Sequence, residues 1–366
     1  MIMKKVLLSV SFLVFCLALT SCHKKQKEAD SSPSPIPIQR ANANIIIFPD
    51  GVLFDYDDIL YTMDPESGMV APVCNKMDCL HEPPSSKNPD PVCYAAYPGL
   101  SMNHVFFLGK DHIYTILGTG QNLTALFQSD LTGENRRKIL EFGYELVSQG
   151  VYTSDGVYYD IACYREYESG EYGPRARSEE YYLIRVDMLN RTYEVIPSPF
   201  EKNSVPLAAT NDKLYLTVSD PYEGEYDDQD YYLEWAKSIR AVCFDWEAKN
   251  YQTVFSNDLA VGGQFLYHAE EEPNGGWVLK RKELQHPEEE AETVYFSMER
   301  FEYLPVGDRL IILNQRTEFQ SHLVPAGDLG KKCLVYDDRT KQYGLISWED
   351  YEKDMDHIQY IDLYPK

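Results

Sequence analysis

Two turn signals alternate along residues 44–366, and their recurrence limits what this chain can build. The first is a polar corner opening a run of β-branched and aromatic residues. It appears as Asp50-Gly51-Val52-Leu53-Phe54, Asp111-His112-Ile113-Tyr114, Asp155-Gly156-Val157-Tyr158 and Asp212-Lys213-Leu214-Tyr215, with looser copies at Gly263-Gln264-Phe265 and Asp308-Arg309-Leu310. The second is a hairpin corner led by Asp64, Asp130, Asp187, Asp245 and Asp337, and replaced in one copy by Gln285-His286-Pro287-Glu288. An aspartate at such a corner accepts hydrogen bonds from the backbone it turns across, and a glycine three residues later supplies positive φ. The cleanest copy runs from Asn103 to Leu140 and reads as four strands, His104–Leu108, His112–Leu117, Leu123–Ser129 and Arg136–Leu140. Helical apolar periodicity is nearly absent, whereas tyrosine is abundant at 29 residues. The pattern predicts an all-β fold of six four-stranded units, about 44–73, 103–142, 148–197, 205–256, 260–298 and 301–347. Such units read as a six-bladed β-propeller, with a seventh blade if Trp348 to Lys366 supplies a closing strand. A ring of blades lets the core grow without splitting into separate domains. Tandem β-sandwiches are the rival fold.

Residues 1–21 have the composition of a processing segment: Lys4-Lys5, then an apolar run from Val6 to Leu19 that is short for a membrane span. The run ends in Leu19-Thr20-Ser21-Cys22, which resembles the lipobox of bacterial lipoproteins. That resemblance implies cleavage before Cys22, lipidation of its thiol and an extracytoplasmic, membrane-anchored location in the cell envelope. Residues 22–43, with Lys24, Lys25, Lys27 and prolines at 33, 35 and 37, read as a semi-stiff tether without a core of its own.

Chemistry concentrates in two places. Cys74, Cys79, His81 and Cys93 form a Cys-x4-Cys-x-His-x11-Cys pattern, and three thiols with one imidazole are a legitimate tetrahedral zinc set. A disulfide stapling the loop is the competing reading, since exported proteins use such staples. Idle thiols are the third, and the pattern alone leaves all three open. Cys163, Cys243 and Cys333 lie in or beside expected strands and read as small buried apolar groups. The second place is aromatic and acidic. Tyr164, Tyr167 and Tyr172 in one expected loop (Cys163 to Tyr181) are echoed by Tyr222, Tyr226, Tyr231 and Tyr232 in another, interleaved with carboxylates. Tyrosine faces stack on sugar C–H patches while carboxylates accept hydroxyl protons; the same composition also suits a protein-binding rim. A surface merely covered by acidic tyrosine loops is the bland alternative.

Cleavage before Cys22 removes Lys4 and Lys5, so 32 basic against 58 acidic residues leaves −26. That field repels nucleic-acid phosphates. No glycine-rich phosphate cradle, Gly-x-Ser-x-Gly elbow or His-Glu-x-x-His helix is present. Taken with the repeating corners, the lipobox residues make the chain resemble the TolB-like six-bladed propeller lipoproteins of bacteria, many of which carry only a domain-of-unknown-function label. The expectation is therefore a membrane-anchored propeller binding a partner protein or small ligand, such as a glycan, on its loop-rich face without catalysis. The rivals are a glycan-processing enzyme with carboxylates from different blades, and a metal- or redox-sensing lipoprotein centred on Cys74, Cys79, His81 and Cys93.

Overall fold

The computed structural model describes residues 39–361 apart from 41–44, 89–92, 97–104, 221–234, 314–331, 348–357 and short gaps of one or two positions elsewhere. The described chain is almost entirely β, with helical backbone confined to Trp235, Lys237 and Ser238. It forms six antiparallel sheets of four to six strands, each a meander whose strand order largely follows chain order.

The sheets fall into two compact units. In the unit Ile36–Asn257, the first sheet holds Ile45–Phe48, Gly51–Tyr56, Ile59–Met63 and Val70–Pro72. The second holds Val105–Leu108, His112–Gly120, Leu123–Asp130 and Arg137–Phe142. The third is built on Val151–Tyr152, Val157–Gly170, Gly173–Asp187 and Thr192–Pro197, with Glu145–Leu146 added along Val157–Gly170. The fourth holds Ser204–Ala209, Lys213–Val218, Arg240–Asp245 and Asn250–Ser256. The other unit contains a sheet of Leu259–Gly262, Phe265–Glu271, Trp277–Glu283 and Glu292–Ser297. It also contains a sheet of Glu302–Val306, Arg309–Leu313, Lys332–Asp337, Gln342–Ser347 and Gln359–Ile361.

Turn chemistry explains the corners, with one refinement. The Asp64 carboxylate accepts from the Ser67 amide at 2.9 Å, that of Asp245 from Ala248 at 2.7 Å, and that of Asp187 from Leu189 and Asn190 at 3.0 and 2.9 Å. The left-handed residue sits four positions after the aspartate in these turns, as Gly68, Lys249 and Arg191, and again as Lys341 after Asp337. Glycine three residues on is used only after Asp130, where Gly133 has φ 78°.

Within each unit the sheets stack through their middle strands. Lys213–Val218 and Arg240–Asp245 are buried along most of their length, whereas the fourth strand Asn250–Ser256 is largely exposed. The fourth strands Arg137–Phe142 and Thr192–Pro197 are likewise mostly open and carry Arg137, Lys138, Glu141 and Glu194, charges that discourage edge-to-edge pairing. One core joins the first three sheets around Phe106, Phe107 and Phe142, and a second joins the third and fourth around Tyr159, Phe244 and Trp246. Phe107 shows how tightly such a seam is filled, lying 4.9–5.3 Å between ring centres from Tyr114, Tyr152 and Tyr158. The other unit has its own core around Tyr295, Phe301, Leu310 and Tyr336.

Three expectations change. The segment Cys163 to Tyr181 is not a loop: Val157–Gly170 and Gly173–Asp187 pair continuously to Gly170 opposite Gly173, with one irregularity at Glu166/Tyr167. Alternating tyrosine and glutamate make a good two-sided polar ladder, so the hairpin extends beyond the packed sheet. Gln39–Arg40, at the end of the expected tether, pairs with Val151–Tyr152 as an added strand of the third sheet. Gln359–Ile361 is the fifth strand of the last sheet, paired with Gln342–Ser347, so no seventh sheet is founded on it among the described residues.

The third sheet also buries a carboxyl group. Asp160 is inaccessible to solvent and accepts hydrogen bonds from the Ser148 and Tyr158 hydroxyls and the Ile161 amide. Burial outweighs these bonds and pushes its pKa up to about 7. Because the folded chain holds this proton more tightly than the unfolded one, the stabilisation is complete below about pH 4 and is lost as pH rises through about 7. Melting temperature should therefore fall between pH 5 and pH 8 more steeply in the native chain than in Asp160→Asn; parallel profiles would show that this carboxyl is not the source.

Candidate metal centre

The chain between the first two sheets is anchored on the strand Ile59–Met63. Leu60, inside the strand Ile59–Met63, accepts from the Val73 amide at 2.8 Å and donates its own amide to the Ala95 carbonyl at 2.9 Å. Ile59 adds a bridge to Ala96. Both arms of the connection are thus pinned to one strand; Cys74 directly follows Val73, and Cys93 lies two residues before Ala95. Between them the chain doubles back: Cys74 donates to the Pro72 carbonyl at 2.7 Å, Cys79 donates to that of Lys76 at 3.3 Å, and Asp78 and His81 are left-handed at φ 60° and 52°. Non-glycine residues in this region cost energy, and pairs of them close to reactive side chains mark a backbone held by its surroundings.

The result is a cluster. Sγ of Cys74, Cys79 and Cys93 and a ring nitrogen of His81 all lie within 4.8 Å of one another, and His81 Nδ1 is 3.5 Å from Cys93 Sγ. A tetrahedral ion bound by thiolates and imidazole has donor–donor edges of about 3.5–3.8 Å, so inward shifts of about an ångström complete the geometry. Cys93 is buried, and the other three donors are half-buried. All three thiols are free.

Electrostatics divides them. Burial raises the Cys74 thiol, but the Lys76 and Tyr94 amides and the neighbouring Cys79 and Cys93 thiols outweigh it and bring it below the ordinary thiol value. Cys93 is pushed up to about 12, chiefly by burial and against the opposing Ala95 amide. Amides aimed at sulfur are what a metal thiolate uses in its surroundings. Cys163 and Cys243 lie elsewhere, fully buried in strands, with burial pushing each thiol up to about 11; they are packing groups, as expected. The side chain of Cys333 lies outside the described residues.

The tyrosine-rich candidates divide differently. Tyr164 is exposed on the strand Val157–Gly170, and Tyr167, half-buried on the same strand, donates to Glu145 at 3.0 Å. The carboxylates around them are already engaged: Arg165 bridges Glu145 and Glu179, and the hydroxyls of Tyr181 and Tyr182 donate to Glu179 and Glu180. Asn122 joins this network by accepting from the Arg165 amide at 2.8 Å and donating to its carbonyl at 2.6 Å, which ties the second sheet to the third. Sequence reasoning missed this latch, because its only local signal is one asparagine in a Gly-rich turn. Tyr172, Tyr222, Tyr226, Tyr231, Tyr232 and the lipidation residue Cys22 lie outside the described residues, as does His104.

No family model and no curated protein matches the sequence. Solved structures show a distant likeness. An uncharacterized protein of Listeria monocytogenes EGD-e is 10% identical, with 88% of this chain and 86% of that chain covered and a TM-score of 0.40. A puromycin-hydrolyzing peptidase of Mycobacterium tuberculosis is 11% identical over 90% of this chain and 49% of that one, with a TM-score of 0.47. A Synechocystis apocarotenoid oxygenase mutant is 10% identical over 85% of this chain and 69% of that one, with a TM-score of 0.35. The chain thus spans about half the length of the peptidase.

The expectation of non-catalytic partner or glycan binding on a tyrosine-rich loop face is corrected by the pairing of its described residues. The described tyrosines of that face stand on a paired hairpin, where carboxylates that would meet a sugar are held by arginine and tyrosine.

Gly133 provides a test of how the centre is framed. It is left-handed, and a Cβ there would lie 2.6 Å from the Val73 carbonyl oxygen and 2.7 Å from that of Tyr94, the residues flanking Cys74 and Cys93. Gly133→Ala should cost about 1–3 kcal/mol in stability and weaken metal retention together; an unchanged melting curve would show that this turn does not buttress the cluster.

Proposed function

We propose that this chain is a lipid-anchored envelope protein with a six-bladed propeller body, in which Cys74, Cys79, His81 and Cys93 hold a zinc ion that fastens the connection between the first two sheets. One observation carries the zinc reading: four donors spread over twenty residues converge within 4.8 Å of one another, although among the described residues between them there is no helix or strand. Three thiolates and one imidazole suit zinc, which accepts tetrahedral sulfur and nitrogen donors without a redox change. Magnesium and calcium prefer oxygen, and this donor set offers none. A four-donor set leaves no open position, so the ion's contribution is cross-linking rather than activation of water.

The remaining parts of the proposal have their own support. Leu19-Thr20-Ser21-Cys22 supports the anchor, and acyl chains on Cys22 would contribute about 0.8 kcal/mol for each buried CH₂. Successive meander sheets, with buried middle strands and an open fourth strand in the sheet from Ser204 to Ser256, support the blades. The acidic surplus supports a surface that avoids nucleic acid.

Metal analysis of the full chain, purified reduced and without oxygen, should give one zinc per chain. Cys79→Ser and His81→Ala should each lower that content at least tenfold under competition with a chelator, while Cys243→Ser should not. Chelation should also lower the melting temperature of the native chain, because an ion that binds only the folded form stabilises it. A native chain that carries no zinc and melts identically with and without chelator removes the reading.

A further inference from the structure

We propose that the centre is a thiol switch, in which a peroxide joins Cys74 to Cys79 as a disulfide, expels the metal and leaves Cys93 reduced. The inference rests on the zinc reading and adds its regulation.

Exposure and constraint select the pair. Cys74 and Cys79 are half-buried rather than buried, and the residues around them, Asn75, Met77, Asp78 and Leu80, face solvent, with Met77 and Leu80 at 87% and 82% exposure. Cys74 and Cys79 touch the first core only at its edge, and the residues between and beside them that face solvent can follow when this turn closes. Its one cross-turn backbone bond, Cys79 to the Lys76 carbonyl, is long at 3.3 Å. The two sulfurs already lie within 4.8 Å, so about 3 Å of travel brings them to bonding distance. Cys93 is different. It is 4% exposed and lies two residues before Ala95, whose carbonyl is held by Leu60, and three before the Ile59–Ala96 bridge. Drawing Cys93 outward would pull on those bonds. Cys163 and Cys243, at 0% and 3% exposure, are out of a solute's reach.

The chemistry balances. One thiolate attacks the O–O bond of hydrogen peroxide, forming a sulfenic acid and releasing hydroxide. The second thiolate attacks that sulfur, forms the S–S bond and releases a second hydroxide. Two electrons pass from sulfur to peroxide, two protons from solvent turn the hydroxides into water, and zinc leaves as the unchanged dication. His81 and Cys93 remain as two donors, too few for a structural site. The disulfide keeps Cys79 tied to Cys74, while His81 and Cys93 lose the ion that joined them to the turn.

The test uses the full chain, loaded with zinc under anaerobic conditions and titrated with hydrogen peroxide. Zinc content is measured first, and a chain that holds none rejects the zinc reading itself. From a loaded chain, one zinc should be released to a chromogenic chelator for each peroxide consumed. Tryptic cleavage after Arg40, Lys76, Lys87 and Lys110 places Cys74, Cys79 and Cys93 on separate peptides, 41–76, 77–87 and 88–110. Peptides 41–76 and 77–87 should be disulfide-linked, with Cys93 open to alkylation, and a thiol reductant plus zinc should restore the starting state. Cys93→Ser should hold zinc more weakly yet still form the same link. Zinc retained through the titration, or a link to peptide 88–110 in its place, overturns the switch while leaving the zinc centre standing.

Discussion

A four-stranded sheet whose middle strands are apolar on both faces cannot stand in water by itself. Tyr215 and Leu216, neighbours on one strand and therefore pointing to opposite sides, are both essentially inaccessible to solvent. Each sheet must consequently stack on another, and full burial of such side chains contributes about 1.5–3 kcal/mol apiece. The fourth strands Arg137–Phe142 and Thr192–Pro197, by contrast, face water and carry charges. This asymmetry dictates where regular structure ends, because the chain leaves each sheet from its exposed edge and has to reach the next. The connections are the part of the polymer that stacking does not organise.

The connection after Val70–Pro72 shows how an unorganised segment becomes a site. Leu60 spends its backbone carbonyl on Val73 and its amide on Ala95, so two points more than twenty residues apart along the chain sit on either side of one residue. Those two bonds bring the backbones next to Cys74 and Cys93 to one residue, and Arg136 holds the second arm from the other side by donating to the Ala96 carbonyl. The turn with left-handed Asp78 and His81 then folds Cys79 and the imidazole back onto them. Such a loop has little apolar surface to bury, and its ordering entropy, about 1–2 kcal/mol per residue, needs an offset that hydrogen bonds alone supply poorly. A cross-link through sulfur offers one, whether through a metal or through a disulfide. The half-buried position of two thiols and the burial of the third allow one protein to use both.

The tyrosine and glutamate residues teach the opposite lesson. Composition marked them as a binding surface, yet Arg165 draws Glu145 and Glu179 together and the tyrosine hydroxyls donate to the carboxylates beside them. A residue type that can contact a ligand can equally contact its neighbour across a hairpin. Cross-strand register decides between the two, and register here follows from the continuous pairing of Val157–Gly170 with Gly173–Asp187.

Much of the fold was legible because its signals are local. The β class, the corners led by Asp64, Asp187 and Asp245, and the strand beginning at His112 all depend on residues within a few positions of one another. The spacing of Cys74, Cys79, His81 and Cys93 was also visible in one dimension, as a choice among metal, disulfide and idle thiols. Convergence of those donors was not, since it depends on Leu60, whose identity carries no hint of its two backbone partners. The same holds for the Asn122 latch and for the strand that Gln39–Arg40 adds to the third sheet. Sequence by itself determined which groups are present and which turns they favour, because those are properties of neighbouring residues. Tertiary structure alone decided which groups meet, because backbone hydrogen bonds between distant segments are blind to side-chain identity.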